Sequence, residues 1–360
     1  NFPMHFIVAL LLALWPVLDH SAALPQRSNS GKIVPPLAAP PALQAVLGYP
    51  GQNPAFIWDE KPAALPSAAA TPGLSVIWWN IEEGKTNSEL TGSPLDVNIR
   101  ALAQSALPPH IIALAEYQPA ALRAETLEQL REKYDSIFLP YNDRRPELGI
   151  MVLSRRSVQL EVRHGPTLDW APLKATADAS NRYRQRWLKH TDHAQIFQRQ
   201  AISLRVEHEG REVYLVPYHA LQPWTAVQDM VGKVLGALWT VYHLVTGRGN
   251  PLMYQSVRLH DWLQKEFGES LDQKPFLLIG DFNTTRGSPV DALFDSKLQR
   301  AFKRASFTFP AKSARLRRYY PRMQIDHAFA SRGLEVLRSA VLRLRGSDHY
   351  PILLDIDVAR

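Results

Sequence analysis

Asp281 and Asn283 stand where an apolar run stops. Residues 276–279 (Phe-Leu-Leu-Ile) read as a short buried strand, Gly280 breaks it, and the acid and the amide follow. Residues two apart share a face of an extended chain. A carboxylate and a carboxamide are therefore presented together by a rigid element, which suits the positioning of reacting groups. An Asx-turn in which Asp281 caps its own backbone accounts for the same pair of residues, so the rest of the chain bears on the choice. The β-branched and aromatic run 75–79 ends in Asn80-Ile81-Glu82, and the run 111–115 ends in Glu116. The run 213–216 ends in Pro217-Tyr218-His219. A lone histidine at a strand end commonly does structural work, but this one is among several polar groups placed alike. Asp326 lies in the apolar strand 325–329 and calls for a partner; Ser347-Asp348-His349-Tyr350-Pro351 precedes the last strand, 352–356. In open α/β sheets, ligands bind at such strand ends.

The elements that must hold these groups alternate in type. Apolar spacing at Val97, Ile99, Leu102 and Leu107 predicts a helix over 95–107, stopped by Pro108-Pro109. A second helix is predicted over 120–134 and a third over 252–267. A fourth, over 290–298, would be capped by Ser288 with Pro289 at its first position. Residues 148–154 and 158–162 read as a strand pair, and 199–204 and 213–216 as strands around the Glu209-Gly210 turn. Strands interleaved with helices predict a layered α/β fold.

The chain has 360 residues, enough for one large domain, and 46% of them are hydrophobic, ample for a core. It has no cysteine, which excludes disulfides, thiolate zinc sites and a cysteine nucleophile. A net charge of +7 favours anionic partners: nucleic acid, phosphorylated metabolites or lipid headgroups. Residues 297–322 carry nine Lys or Arg and no acid. Arginine forks match phosphate oxygens, although a plain basic loop has the same composition. The cation–aromatic run 182–187 reads either as a nucleic-acid surface or as a solvated face. The apolar stretch 227–245 reads as a helix that packs in the core or seeks a membrane surface.

At the N-terminus, residues 6–18 are an apolar run too short to span a bilayer comfortably, followed by small residues at Ser21-Ala22-Ala23. This predicts a signal peptide over 1–23 and export, periplasmic or secreted. A retained membrane anchor or a buried helix is the alternative, since no Lys or Arg precedes the run. Residues 24–73 are rich in Pro and Ala and are expected to be a linker, with 56–58 docking locally. The catalytic domain is expected over 74–360.

Taken together, the stretches Trp79-Asn80-Ile81-Glu82, Ala115-Glu116, Arg199-Gln200-Ala201, Pro217-Tyr218-His219-Ala220, Gly280-Asp281-Phe282-Asn283, Ile325-Asp326-His327 and Ser347-Asp348-His349-Tyr350-Pro351 resemble the endonuclease/exonuclease/phosphatase superfamily, in family order. The resemblance implies a four-layer sandwich, two packed mixed β-sheets flanked by helices as in DNase I. It implies a divalent-metal-dependent hydrolase of phosphate esters, a phosphodiesterase or endonuclease using direct attack by water. Glu116 with Asn80, Glu82 and Asp348 would hold Mg²⁺, with Mn²⁺ or Ca²⁺ as alternatives, because oxygen ligands fit a hard cation. Asp281 would orient or deprotonate the water and Asn283 would contact the phosphate. His349 would face the phosphate, braced by Asp326; His219 would stabilise it or protonate the leaving oxygen, with Arg199 bracing that region. A monomer is expected.

Two positions depart from the family pattern: Ala115 stands where Gln is common, and His110 where Asp is common. A sphingomyelinase-like lipid phosphodiesterase, membrane-associated through 6–18 or 227–245, and a phosphate or polyphosphate monoester phosphatase are the alternative activities. A catalytically silent binding module on the same scaffold is the alternative of another class.

Overall fold

A computed structural model describes residues 56–57, 73–87, 94–105, 107–141, 146–168, 199–220, 251–304, 306–311 and 322–358. The apolar runs 6–18 and 227–245, nearly all of the linker 24–73, the segment 182–187 and the basic residues 315–320 lie outside the described residues. Among the described residues, no helix is long and apolar enough to cross a membrane.

Among the described residues, twelve strands form two six-stranded sheets. The first has the order β11 (Leu334–Val341), β12 (Ile352–Val358), β1 (Leu74–Asn80), β2 (Ile111–Tyr117), β4 (Gly149–Arg155), β3 (Tyr134–Pro140). The second has β5 (Gln159–Leu168), β6 (Arg199–His208), β7 (Arg211–His219), β8 (Phe276–Asp281), β10 (Asp326–Ala330), β9 (Gln299–Arg300). Each sheet is mixed, with one parallel pair at its centre: β1 with β2, and β7 with β8. A parallel pair needs a crossover. The first crossover carries α1 (Pro94–Gln104) and the second α3 (Pro251–Phe267); α2 (Ala124–Arg131) and α4 (Pro289–Asp295) are the other α-helices among the described residues.

Alternation along the strands sorts side chains into three buried clusters. Val76, Trp78, Ala113, Leu204, Leu215, Leu277, Ile279 and Leu354 fill the space between the sheets. Ile77, Trp79, Ile112 and Leu353 point the other way and meet Leu95, Ile99 and Leu102 of α1. Tyr214, Val216, Phe276 and Leu278 meet Leu259, Leu263 and Phe267 of α3 and Phe294 of α4. The result is a four-layer sandwich with helices outside, as the sequence resemblance implied.

Ser288 caps α4 as its sequence predicts, accepting the Asp291 N–H at 3.1 Å with Pro289 following. Two expectations need correction. Residues 148–154 and 158–162 do not pair with each other: β4 pairs with β2 and β3, whereas β5 pairs with β6 in the other sheet. The turn at Arg156-Ser157 passes the chain between sheets. The helix predicted over 120–134 is only α2, and Tyr134 instead opens β3, an edge strand whose mixed burial gave no clear alternation.

Candidate active site

Strand register brings the polar ends together. In the first sheet Asn80 is level with Ala115, the residue before Glu116. In the second, His219 is level with Asp281, and Asp281 with Asp326. Both parallel pairs end at the same rim, so face-to-face packing sets Asn80 and Glu116 against His219, Asp281 and Asp326. Gly280 permits the close β7–β8 approach, since a Cβ there would lie 1.7 Å from the Tyr218 carbonyl oxygen. Glu82, Glu116 and Asn283 have φ of 49°, 52° and 49°. Left-handed backbone costs an L-residue roughly 1–2 kcal/mol. Here it turns each strand exit toward the rim, and at Glu116 it coincides with an irregularity in the β2–β4 pairing.

Asp281 is fully buried. Its Oδ1 accepts the Asn283 N–H at 2.8 Å, and its Oδ2 accepts from Asn80 Nδ2 at 3.1 Å. The local Asx bond and the site therefore coexist. The same Asn80 nitrogen reaches Glu116 Oε1 at 3.3 Å, while Asn80 Oδ1 accepts the Glu82 N–H at 3.1 Å. Asn283 Nδ2 donates to the Ala220 carbonyl at 2.9 Å, tying the β8 exit to the β7 exit.

Asp326 Oδ2 accepts from His349 Nδ1 at 2.9 Å, and its Oδ1 accepts the Trp78 indole N–H from the opposite sheet at 3.1 Å. His349 Nε2 then faces Asp281 Oδ2 at 3.8 Å and Asp348 Oδ1 at 4.0 Å. Burial alone would lower the basicity of His349. The negative charges of Asp326 and Asp348, the Asp326 hydrogen bond and Asp281 outweigh it and hold the ring well above the usual imidazole range. Burial pushes the Asp281 carboxyl up to about 7, against the pull of His349.

His219 Nε2 lies 3.4 Å from Glu116 Oε1 and 3.7 Å from Asp281 Oδ2. Its Nδ1 meets the Tyr141 hydroxyl at 2.7 Å, and that hydroxyl oxygen also accepts the Glu116 N–H at 2.8 Å. The phenol can accept the Glu116 N–H and donate to Nδ1 at once, and in that tautomer Nε2–H is turned toward the two carboxylates.

The sequence alone assigns no role to Tyr141, Trp78 or Thr308, nor to Ser347, although Ser347 opens the Ser347–Pro351 motif. Ser347 Oγ donates to the Asn80 carbonyl at 2.6 Å and accepts the His349 N–H at 3.1 Å. Thr308 Oγ1 accepts the N–H groups of Ile325 and Asp326 at 3.2 and 3.1 Å. Tyr141 follows a strand end, as the other site residues do, and that was its only signal. The site thus gathers Asn80, Glu116, His219, Asp281, Asn283, Asp326, Asp348 and His349. Glu82 is attached through its backbone N–H. Arg199 opens β6, but its side chain lies outside the described residues.

Ligand atoms of Asp281, Asp326 and His349 lie within 4.8 Å of one another, close enough for a metal. Both Asp326 oxygens, however, already accept from Trp78 and His349. A hard cation prefers oxygen ligands, so the carboxylates of Glu116 and Asp348 fit it better, and the Asp326–His349 pair is better suited to orienting an imidazole.

The profile of the endonuclease/exonuclease/phosphatase family matches residues 77–349, which span every residue of this rim. The chain belongs to that family. Its members are in general phosphoester hydrolases, typically dependent on a divalent metal. Two solved structures agree in fold at a TM-score of 0.50. A family protein from Bacteroides vulgatus matches with 14% identity and a TM-score of 0.50, over 79% of this chain and 99% of that one. One from Beutenbergia cavernae DSM 12333 has 17% identity and a TM-score of 0.50, over 80% and 72%. The human Nocturnin catalytic domain, solved with a bound sulfate anion, has 16% identity and a TM-score of 0.48, over 80% and 94%. Among curated proteins none matches the sequence.

Proposed function

We propose that the protein is a divalent-metal-dependent phosphodiesterase, of nuclease type, in which water attacks phosphorus directly. The supporting observation is the convergence of Glu116, His219, Asp281 and the Asp326–His349 pair on one rim. A phosphodiester is anionic and repels nucleophiles, so its hydrolysis needs charge neutralisation and one base. The carboxylates of Glu116 and Asp348, with Glu82 beside them, would hold a hard divalent cation such as Mg²⁺, which would supply Lewis-acid neutralisation of the phosphate, while Asn80, its oxygen taken by the Glu82 N–H, orients the Glu116 and Asp281 carboxylates through Nδ2.

This chain's own groups divide the rest. Asp281 accepts a proton from water through Oδ2, its oxygens held by Asn80 and Asn283. His349, kept cationic by its acidic neighbours, presents Nε2–H to a phosphate oxygen. His219, with Nδ1 occupied by Tyr141, directs Nε2–H to the phosphate or the leaving oxygen. A polyanionic nucleic acid suits the net charge of +7 better than a lone headgroup does. Export through residues 1–23 belongs to the same proposal.

The test is a Mg²⁺-dependent assay on plasmid DNA, RNA, sphingomyelin and inositol phosphates, with His219→Ala as control. Nucleic-acid cleavage lowered at least roughly 100-fold by the substitution is expected, the scale on which losing one positioned donor acts. Cleavage of sphingomyelin alone would move the substrate to lipid. Full activity in His219→Ala would remove the histidine from the mechanism.

A further inference from the structure

Phe56 and Ile57 lie about twenty residues before the family match begins at residue 77. They are nevertheless built into the domain. Phe56 is fully buried and joins the cluster of Leu95, Ile99, Leu102, Leu342 and Leu344. Ile57 is bonded at both ends of its peptide unit. Its N–H donates to Asn98 Oδ1 at 2.8 Å, and its carbonyl accepts from Asn98 Nδ2 at 3.0 Å and from the Arg345 N–H at 2.9 Å. Asn98, fully buried on α1, also donates from Nδ2 to the Arg345 carbonyl at 2.8 Å. Ile57 therefore takes one backbone bond from Arg345, and the Asn98 carboxamide bridges the two residues.

Arg345 opens the loop that delivers the site. Gly346 follows with φ of 133°, packed so tightly on α1 that a Cβ would lie 2.8 Å from Leu95 Cα. Ser347 then bonds the Asn80 carbonyl, and Asp348 and His349 come next. One buried asparagine thus joins the upstream segment, α1 and the catalytic loop. Burying a carboxamide is tolerated only when its hydrogen bonds are met. Asn98 meets them through Ile57 and Arg345.

We propose that Phe56–Ile57 is a clasp, supplied by the segment upstream of the family domain, that holds the loop of Asp348 and His349 in its working position. The groove between α1 and residues 342–346 is then a docking site for this extended Phe-Ile pair, and its occupant is this chain itself. The catalytic part of the claim rests on the proposed function; the docking part does not.

The test uses the full chain with Asn98→Ala, Phe56→Ala and the conservative Phe56→Leu. Amide hydrogen exchange at residue 345 and at 347–349 is read beside that of 277–279 in β8, and kcat and KM are measured on a cleaved phosphodiester. In Asn98→Ala and Phe56→Ala, exchange at 345 and 347–349 is expected to accelerate about tenfold or more, with β8 unchanged. Turnover falls about tenfold while KM stays within about twofold, and Phe56→Leu restores both. Unchanged exchange at 345 overturns the docking. Faster exchange at 345 with wild-type kcat overturns the positioning role. Should one variant expose β8 as well, it has unfolded globally, and the other two decide. Should the wild type cleave no phosphoester, the proposed function fails, and acceleration at 347–349 rather than at 345 alone still decides for the clasp.

Discussion

Asp281 holds its proton more tightly than an exposed carboxylate, because burial raises it to about 7 while His349 opposes that shift. Such a group can take a proton from water near neutrality and release it again. Its neighbours matter as much as its own atoms. Tyr141 serves two of them with a single hydroxyl, bonding His219 Nδ1 and the Glu116 N–H. Tyr141→Phe keeps the ring and removes both bonds. Each such bond is worth about 1 kcal/mol, so kcat is expected to fall about tenfold with the fold intact by circular dichroism. A wild-type kcat would show that the hydroxyl does not hold the histidine. Asp281, Glu116 and His219 were legible in sequence because each ends an apolar run. Tyr141 and Trp78 were not, because their partners lie 78 and 248 residues away and meet them only after the sheets pack.

At the scale of elements, the site depends on the β7–β8 pair and on the cap of α4. Gly280→Ala forces a Cβ against the Tyr218 backbone. It is expected to cost about 3 kcal/mol or more, read as a lowered urea midpoint. Ser288→Ala removes the α4 cap and the acceptor of the Thr284 hydroxyl, bonded at 2.7 Å. It is expected to cost only about 1 kcal/mol. Equal costs would contradict the close approach assigned to Gly280. The same scale explains which elements the sequence concealed. β11 alternates buried with exposed residues and slips register between Val336 and Arg338, so it lacks the apolar run that marked β8. The stretches 148–154 and 158–162 look like a hairpin because they are short and adjacent, whereas β5 runs on to Leu168 and is largely polar. Pairing is decided by which face each buries, and a turn between sheets leaves no local signature.

For the whole molecule, the end of the sandwich away from the site is joined by imidazoles. His110 on the first sheet and His208 on the second lie with ring centroids 4.4 Å apart. His110 stands where the family commonly has an acid, and it keeps an acceptor there: its Nδ1 takes the Ser75 N–H at 2.9 Å. Protonation would destroy that acceptor. Burial, then the nearby His208 and Arg155, lower His110 to about 4. The unfolded chain, with an ordinary histidine near 6.5, binds more protons between these values. This contribution to stability is therefore full above about 6.5 and is lost as pH falls toward about 4. Buried His327 and His260 are shifted down too, chiefly by burial, and act in the same direction. Asp281 and His349, shifted up, act in the opposite sense, so the His110 contribution is read as a difference: between pH 7 and pH 5 the urea midpoint of wild type is expected to fall relative to that of His110→Asn, which keeps an acceptor but does not titrate. A parallel pH dependence in the two proteins would contradict the assignment.

In the proposed function, both sheets contribute to one metal-dependent centre for splitting phosphate esters. Hydrolysis of bis(p-nitrophenyl) phosphate by wild type and Asp281→Asn, with Mg²⁺ and after its removal by EDTA, tests it most directly. Wild type is expected to turn over with Mg²⁺, to lose activity on chelation without unfolding and to recover it when the metal is added back, with a rate at least roughly 100-fold lower in Asp281→Asn. Turnover that survives chelation, or that Asp281→Asn leaves at the wild-type rate, would contradict it.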